Sequence, residues 1–502
     1  MLKRNVIANY IGRFYSMIIG VVVLPIYLKY LGAEAYGLVG FFTMFISWMM
    51  LLDMGFSQVL SRETAILKDK LNGLIELKLT LRSVESMIFF VSIFVFILVL
   101  LSSEWIASHW LQVKELSFST VKQCIELMGF MFILKWYVSL YDSLILGFEE
   151  QVWLNIYKIV ISTIRFVGGL ILVIYITNDI LYYFLYQAII AVIEFVTLNR
   201  KVYGNLPKNA QFLLPSISSI KKIAPFALGV AYTSGVWIVY TQLDKLLLSH
   251  YIALENYGYF TLVVLVSSAI MQFSSPLSQA ILPRMTSLLS NGKEKEMLRL
   301  YHKGTQFISV IIFSVVGIVV KFSYELLYSW TGDKEASLWA SPILSWYAMG
   351  NAILALAAFQ YYLQFAYGNL KYHIRFNTYF PLVALPIVFY AVVNYGAFGA
   401  GVAWFAIQMI TFLIWPPFIH QKFAKGIHFD WVLKDILPPL LMTIIYFKII
   451  DYISIDFTSF NQVETFVVLL ILGSVLLLLN ALTLSKVREK ISIVFRRSIN
   501  VI

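Results

Sequence analysis

Ten lysines and arginines stand within or beside long apolar stretches: Arg13, Lys29, Lys122, Lys135, Lys158, Arg165, Lys245, Lys321, Arg375 and Lys448. An ionisable side chain at membrane depth costs several kcal/mol, so it is read first as functional. Lys29, Lys122 and Arg375 lie near the ends of their stretches, where a long stem carries the charge out to the headgroups. Arg13 follows Arg4 by about nine residues, which puts it ~13 Å deep at 1.5 Å per residue. Lys158 and Arg165 are seven apart and share a helix face, which Ser162 extends. None of Arg13, Lys158 and Arg165 has an acidic neighbour within a turn of its own helix, whereas Lys135 has Asp142 seven residues on. Cations so placed donate charge-assisted hydrogen bonds to anionic oxygens, and a diphosphate suits them well. Pairing across helices with Glu126, Asp142 or Glu194 is the structural alternative, and both stay open.

Other charges are less specific. Asp53, Asp142 and the adjacent Asp244 and Lys245 are candidates for gating or for coupling to a proton or Na+; capping or local pairing is the plain reading of Asp53 and Asp244. Lys321 and Glu325, at i,i+4, read as a self-neutralising pair. Trp136, Tyr137, Tyr141 and Tyr361-Tyr362 offer faces on which sugars stack, although most such rings form belts or packing. Cys124 stands alone and cannot make an internal disulfide. The six histidines are scattered and no metal-ligand cluster is expected; Gly-x-x-x-x-Gly-Lys-Ser/Thr is absent, so no ATPase and no cofactor are expected. Gly396–Gly401 reads as a loop running into a helix.

The elements that position these charges follow from composition. Of the 502 residues, 60% are hydrophobic and 13% charged, and mean hydropathy is +0.80. A soluble domain has about half its residues apolar and about a quarter charged; here the excess must face lipid. About 20 apolar residues cross the hydrocarbon core, and fourteen stretches qualify: 5–30, 36–60, 84–102, 123–147, 153–176, 180–199, 223–250, 257–283, 304–329, 338–367, 372–394, 400–421, 435–453 and 464–484. None alternates as a barrel strand would. With the N-terminus cytoplasmic, 26 loop cations fall inside and only Lys114 and Lys334 outside. The net charge of +11 is thus a topology signal rather than a nucleic-acid one, and both ends are expected in the cytoplasm. The basic Met1–Arg4 leads into a retained first helix, with no cleavage site after it.

The halves repeat at a shift of 221 residues. Tyr36-Gly37 matches Tyr257-Gly258, Ser57-Gln58 matches Ser278-Gln279, Gly147 matches Gly368, and Arg62 corresponds to Arg284 with one residue inserted. Arg62 and Arg284 then mark equivalent points where a headgroup enters, or where positive-inside anchoring acts. The shift spans six helices, an even number, so the copies sit the same way up, as in parallel-repeat transporters. The expected architecture is an all-α integral membrane protein: a six-helix lobe over 1–219, a second over 220–431, and two appended helices with a basic tail over 432–502.

At Tyr27-Leu28-Lys29-Tyr30-Leu31-Gly32, Ala35-Tyr36-Gly37, Leu52-Asp53-Met54-Gly55 and Leu60-Ser61-Arg62-Glu63 the chain resembles polysaccharide (O-antigen and capsule) flippases of the multidrug/oligosaccharidyl-lipid/polysaccharide exporter superfamily. Leu243-Asp244-Lys245-Leu246-Leu247-Leu248 and Asn256-Tyr257-Gly258-Tyr259 resemble the start of that family's second lobe. The resemblance implies movement of undecaprenyl-pyrophosphate-linked repeat units from the cytoplasmic to the periplasmic leaflet of a bacterial inner membrane. It also implies membrane lipid, a coupling H+ or Na+ and a polysaccharide polymerase as partners, and two helices appended to a twelve-helix core. The expected diphosphate and glycan site is Arg13, Lys135, Lys158 and Arg165. Two rivals are a drug or cation exporter of the same superfamily, which would favour carboxylates over cations in the first lobe, and an O-antigen polymerase or ligase. An enzyme would need a sizeable outside loop, and the longest, about 103–122, carries only Glu104, His109, Lys114, Glu115 and Lys122.

Overall fold

The computed structural model describes residues 2–207, 214–272, 275–485 and 487. Lys208 and most of the basic C-terminal tail lie outside them, as do the side chains of Arg13, Ser278 and Gln279. The described backbone is helical throughout, apart from loops and a lone bridge between Gln112 and Ala253. The described parts of the expected segments are largely helical, with local breaks. The helices are α1 Leu2–Leu31, α2 Ala33–Met49, α3 Phe56–Leu67, α4 Gly73–Trp105, α5 Phe118–Gly147, α6 Gln151–Ile176, α7 Ile180–Gly204 and α8 Ile217–Tyr251. They continue as α9 Leu254–Gln272, α10 Ser275–Ser290, α11 Glu294–Lys321, α12 Ser323–Thr331, α13 Lys334–Ala366, α14 Lys371–Phe423, α15 Ile427–Ile453 and α16 Gln462–Ala481. Among the described residues, 11 helices are long and apolar enough to cross a membrane, or 12 with α8 counted as one span bent by 54° beyond Pro225.

Two expectations about continuity change. The stretch 36–60 is not one helix, because Met54 and Gly55 both take left-handed backbone (φ 45° and 71°) and restart the chain as α3. A side chain at Gly55 would also stand 2.8 Å from the Ala227 carbonyl. Conversely, Gly396–Gly401 is not a loop. The expected spans 372–394 and 400–421 remain two helices, which meet with no loop between them at a sharp kink at Gly396 (φ 57°, ψ −143°) within α14, a conformation that glycine adopts without steric cost.

Contacts divide the chain into two compact units, 1–258 and 259–502; the repeat would cut it at 219/220 instead. In the first unit α5 is the central helix. It is apolar nearly all round, which is the pattern of a buried helix, and it packs Phe132, Trp136, Tyr141 and Leu144 against Leu60, Leu77, Leu81 and Leu198. The Tyr-Gly repeat has a local reason here. A Cβ on Gly37 would lie 2.1 Å from the Leu254 carbonyl, and one on Gly258 2.2 Å from that of Ala33, so the two glycines let these helix starts cross in backbone contact. Beside them the Glu34 carboxylate accepts the N–H groups of Lys114, Glu115 (2.7 Å) and Leu116 (2.9 Å).

In the second unit the appended α15 and α16 pack on α11 through Ile318, Tyr446, Leu469 and Leu476. Asn480 donates to Ser314 and Thr443, both at 2.9 Å. Phe322 (φ −121°) breaks the helix between Lys321 and Glu325. Their expected i,i+4 pairing is therefore lost, and Lys321 meets Asp451 at 2.5 Å instead. The histidines are less scattered than their spacing suggests: His420 meets His428 at 3.0 Å and Tyr301 at 2.7 Å, while His302 and Gln306 (2.8 Å) bind Asp435. Among the described residues no group of three or more His, Cys, Asp or Glu could hold a metal ion.

Candidate functional site

Lys135 and Asp142 reach the site from α5, Lys158 and Arg165 from α6, and Gln187 and Glu194 from α7. Glu194 is the hub. Its Oε2 accepts from Lys135 Nζ at 2.7 Å and from Arg165 Nη2 at 2.7 Å, and its Oε1 from Lys158 Nζ at 3.1 Å. Lys158 also reaches Asp142 Oδ2 at 2.7 Å, and Arg165 Nη1 donates to Gln187 Oε1 at 3.1 Å. The Glu194 side chain is 3% exposed, whereas those of Lys135 and Lys158 are 27% and 30% exposed. The carboxylate therefore forms the floor and the cations the accessible rim. Three cations share two carboxylates, so the described cluster has a cation in excess. Asp142 Oδ1 is buried without a hydrogen-bond partner among the described residues.

Local structure aims these groups. The helix face shared by Lys158 and Arg165 is interrupted by a wide π turn over Ile164–Gly168, with a second over Leu172–Ile176. Such turns are often found at functional positions. Phenols support the first turn: Tyr186 donates to the Ile164 carbonyl at 2.5 Å and Tyr27 to that of Phe166 at 2.8 Å. A Cβ on Gly168 would meet the Tyr186 oxygen at 2.0 Å, and one on Gly169 the Tyr27 oxygen at 2.5 Å. Helix α1 is tied along α6 by Tyr15–Thr163 (2.6 Å) and Ser16–Ser162 (3.2 Å). Ser162 is thus spent on α1 rather than on the cationic face. Arg13 belongs to the same stretch of α1.

The expected pairing of Lys135 with Asp142 is replaced. Seven residues are two turns, about 10 Å along the axis, too far for contact, so Asp142 takes Lys158 and Lys135 takes Glu194. Glu126 stays apart and accepts from Ser103 at 3.3 Å. Asp53 is buried at the α2–α3 break, where its carboxylate accepts the Ser57 N–H (3.2 Å), the Ser57 hydroxyl (2.6 Å) and the Trp136 N–H (3.2 Å). Lys245 folds onto Asp244 (3.1 Å) and the Thr241 carbonyl (2.7 Å). Arg62 is half-exposed and meets Glu63 at 2.9 Å, and Arg284 is exposed. The structure brings Lys135, Lys158, Arg165 and Asp142 together, and leaves Asp53, Asp244, Lys245, Arg62 and Arg284 outside that group. Glu194 entered the sequence reading only as one of three pairing partners; its position in the apolar run 180–199 was the available signal.

The sequence model of the family described as "Polysaccharide biosynthesis protein" matches residues 2–289. Among solved structures the chain is similar to the lipid II flippase MurJ in an inward closed conformation, with TM-score 0.75 and 15% identity over 94% of this chain and 97% of that one. It is similar to an inward-facing multidrug resistance MATE family transporter of the MOP superfamily, with TM-score 0.68 and 11% identity over 82% and 96%. A MOP superfamily transporter from Pyrococcus furiosus, whose binding pocket is described as of reverse polarity, aligns with TM-score 0.56 and 12% identity over 84% and 95%. No curated protein matches the sequence.

Proposed function

Because the chain belongs to the polysaccharide biosynthesis protein family and has the fold of MOP superfamily transporters, we propose that it is a flippase for undecaprenyl-pyrophosphate-linked oligosaccharide repeat units. It moves them from the cytoplasmic to the periplasmic leaflet of a bacterial inner membrane, with both termini in the cytoplasm. The observation that carries this reading is the cation excess around Glu194, with the lysine side chains partly accessible and the carboxylate buried. A diphosphate reaching the rim meets Lys135, Lys158 and the Arg165 fork, which donate charge-assisted hydrogen bonds to its oxygens. Arg13, whose side chain lies outside the described residues, is the fourth residue assigned to the diphosphate from the sequence. A cationic drug would meet the wrong sign of charge at the same place.

The headgroup is too polar to enter lipid unaided, and the isoprenoid tail gains nothing by leaving it. The headgroup therefore passes between lobes 1–219 and 220–431, which open alternately to either side, while the tail stays in the bilayer along α15 and α16. Asp142, with an acceptor position to spare, is the first choice for a coupling proton; Asp53, Asp244 and Lys245 are gating candidates, and Arg62 and Arg284 anchor headgroups at the inner face. The test is Arg165→Ala in cells whose surface polysaccharide depends on this protein. Surface polysaccharide should fall about tenfold or more, as loss of one charged hydrogen-bond set implies, at an unchanged protein level in the membrane. Arg165→Lys should recover part of it, because charge survives without the bidentate fork. Full export by Arg165→Ala would remove the diphosphate from this cluster.

A further inference from the structure

A pocket of about 530 Å³ opens on the first unit between α4, α5 and α7, lined on its polar side by Glu85, Arg82, Tyr203 and Asn199. It is separate from the Glu194 cluster. Glu85 is its anchor. Oε1 accepts the Tyr141 phenol at 2.8 Å and Oε2 the Tyr203 phenol at 2.6 Å, while Tyr137 donates to the Glu85 backbone carbonyl at 3.0 Å. Asn199 in turn donates to the Tyr141 oxygen at 2.8 Å. A carboxylate offers about four lone-pair positions, so two phenols leave acceptor capacity on Glu85, which lines the pocket. Arg82 stands one turn earlier on α4 and interacts with both Tyr203 and Glu85.

The pocket's other side is apolar. Phe89 and Phe90 line it and are 51% and 72% exposed. Phe90 begins an exposed stripe that runs along α4 through Phe94, Leu98 and Leu101. Arg82 on α4, and Arg200 and Lys201 on α7, stand where those helices leave their apolar runs. With these helix ends at the inner face, as the loop charges predict, the polar groups are expected at headgroup level and the aromatic wall at the top of the acyl layer.

We propose that this pocket holds a phospholipid whose headgroup carries a primary ammonium, the phosphatidylethanolamine class. The ammonium, with three donors and no acceptor, fills the open positions on Glu85; the adjoining phosphate takes Arg82; and the acyl chains follow Phe90, Phe94 and Leu101. One carboxylate and one guanidinium match a zwitterion, whereas an anionic headgroup would face Glu85 with like charge. A quaternary ammonium has no N–H to give.

The experiment is native mass spectrometry of the full chain released from nanodiscs holding equal parts of phosphatidylethanolamine, phosphatidylcholine and phosphatidylglycerol. The wild type should retain phosphatidylethanolamine about tenfold over phosphatidylcholine, the worth of a charged hydrogen bond. Glu85→Gln should remove that preference and, with the like charge gone, raise phosphatidylglycerol retention. Arg82→Gln and Tyr203→Phe keep the carboxylate: Arg82→Gln should lower retention of all three lipids severalfold, since each carries the phosphate, and Tyr203→Phe, which loosens the Glu85 carboxylate, should weaken the ethanolamine preference severalfold, so the proposal stays testable if Glu85→Gln does not fold. Equal retention of the ethanolamine and choline lipids by the wild type overturns the proposal. So does a preference that survives Glu85→Gln, or lipid retention that Arg82→Gln leaves untouched.

Discussion

Glu194 opposes three cations with one buried carboxylate, and that sets what its loss should do. Glu194→Gln leaves Asp142 alone against Lys135, Lys158 and Arg165. Removing one partner of a fully buried pair costs about 3–5 kcal/mol; partial exposure of these cations screens the repulsion and brings the expected loss to about 2 kcal/mol. The same change raises the positive charge at the rim. Thermal unfolding in detergent should therefore show destabilisation, while a soluble diphosphate ligand protects the variant more strongly than the wild type. Arg165→Ala should have the opposite ligand effect. If Glu194→Gln weakens protection by the diphosphate, the cations serve the fold and not an anion. The cations themselves were legible in the sequence because a charge inside an apolar run has few innocent explanations. Their partners were not, since which residues of α5, α6 and α7 face one another depends on helix rotation about axes that one sequence does not reveal. Glu85 escaped notice for a related reason: three residues from Arg82, it reads as an ordinary helix-end charge until packing brings three tyrosines to it.

At the scale of elements, helices announce themselves through apolar length, and their irregularities do not. Nothing in Ile164–Gly168 marks a π turn except Gly168 and the adjoining Gly169, yet that turn carries Arg165. Gly168→Ala would place a methyl against the Tyr186 oxygen and displace the phenol that supports the Ile164 carbonyl. Overpacking of this kind costs about 1–3 kcal/mol. The expected result is reduced export with a modest fall in stability. Because Gly168 and Tyr186 act through one contact, Gly168→Ala combined with Tyr186→Phe should be less damaging than the sum of the single changes. Strict additivity in export assays would show that the turn does not position Arg165. The breaks at Gly55 and Gly396 teach the same lesson in opposite directions. Left-handed backbone at Met54–Gly55 divides an apolar run that reads as continuous, whereas the kink at Gly396 turns the chain between two helices with no loop between them.

At the scale of the molecule, the 26-to-2 distribution of loop cations predicts which ends of the helices face the cytoplasm. In a Cys124→Ala background, cysteines at Ser103, Asn178 and Gly332 should react with an impermeant maleimide from outside, and cysteines at Asn72, Asn205 and Asn291 should not. Cys124 is fully buried, so its removal costs little beyond a small cavity. Labelling of Asn205→Cys from outside would invert the topology. The shift of 221 residues pairs Gly37 with Gly258, and each glycine permits a close backbone crossing. What the protein moves is decided by transport itself. Purified protein in liposomes should carry a fluorescent undecaprenyl-diphosphate oligosaccharide to the leaflet where an impermeant quencher reaches it, with Arg165→Ala slower by about tenfold or more. A wild-type rate no greater than that of protein-free liposomes would contradict the flippase reading. A wild-type rate matched by Arg165→Ala would contradict the site.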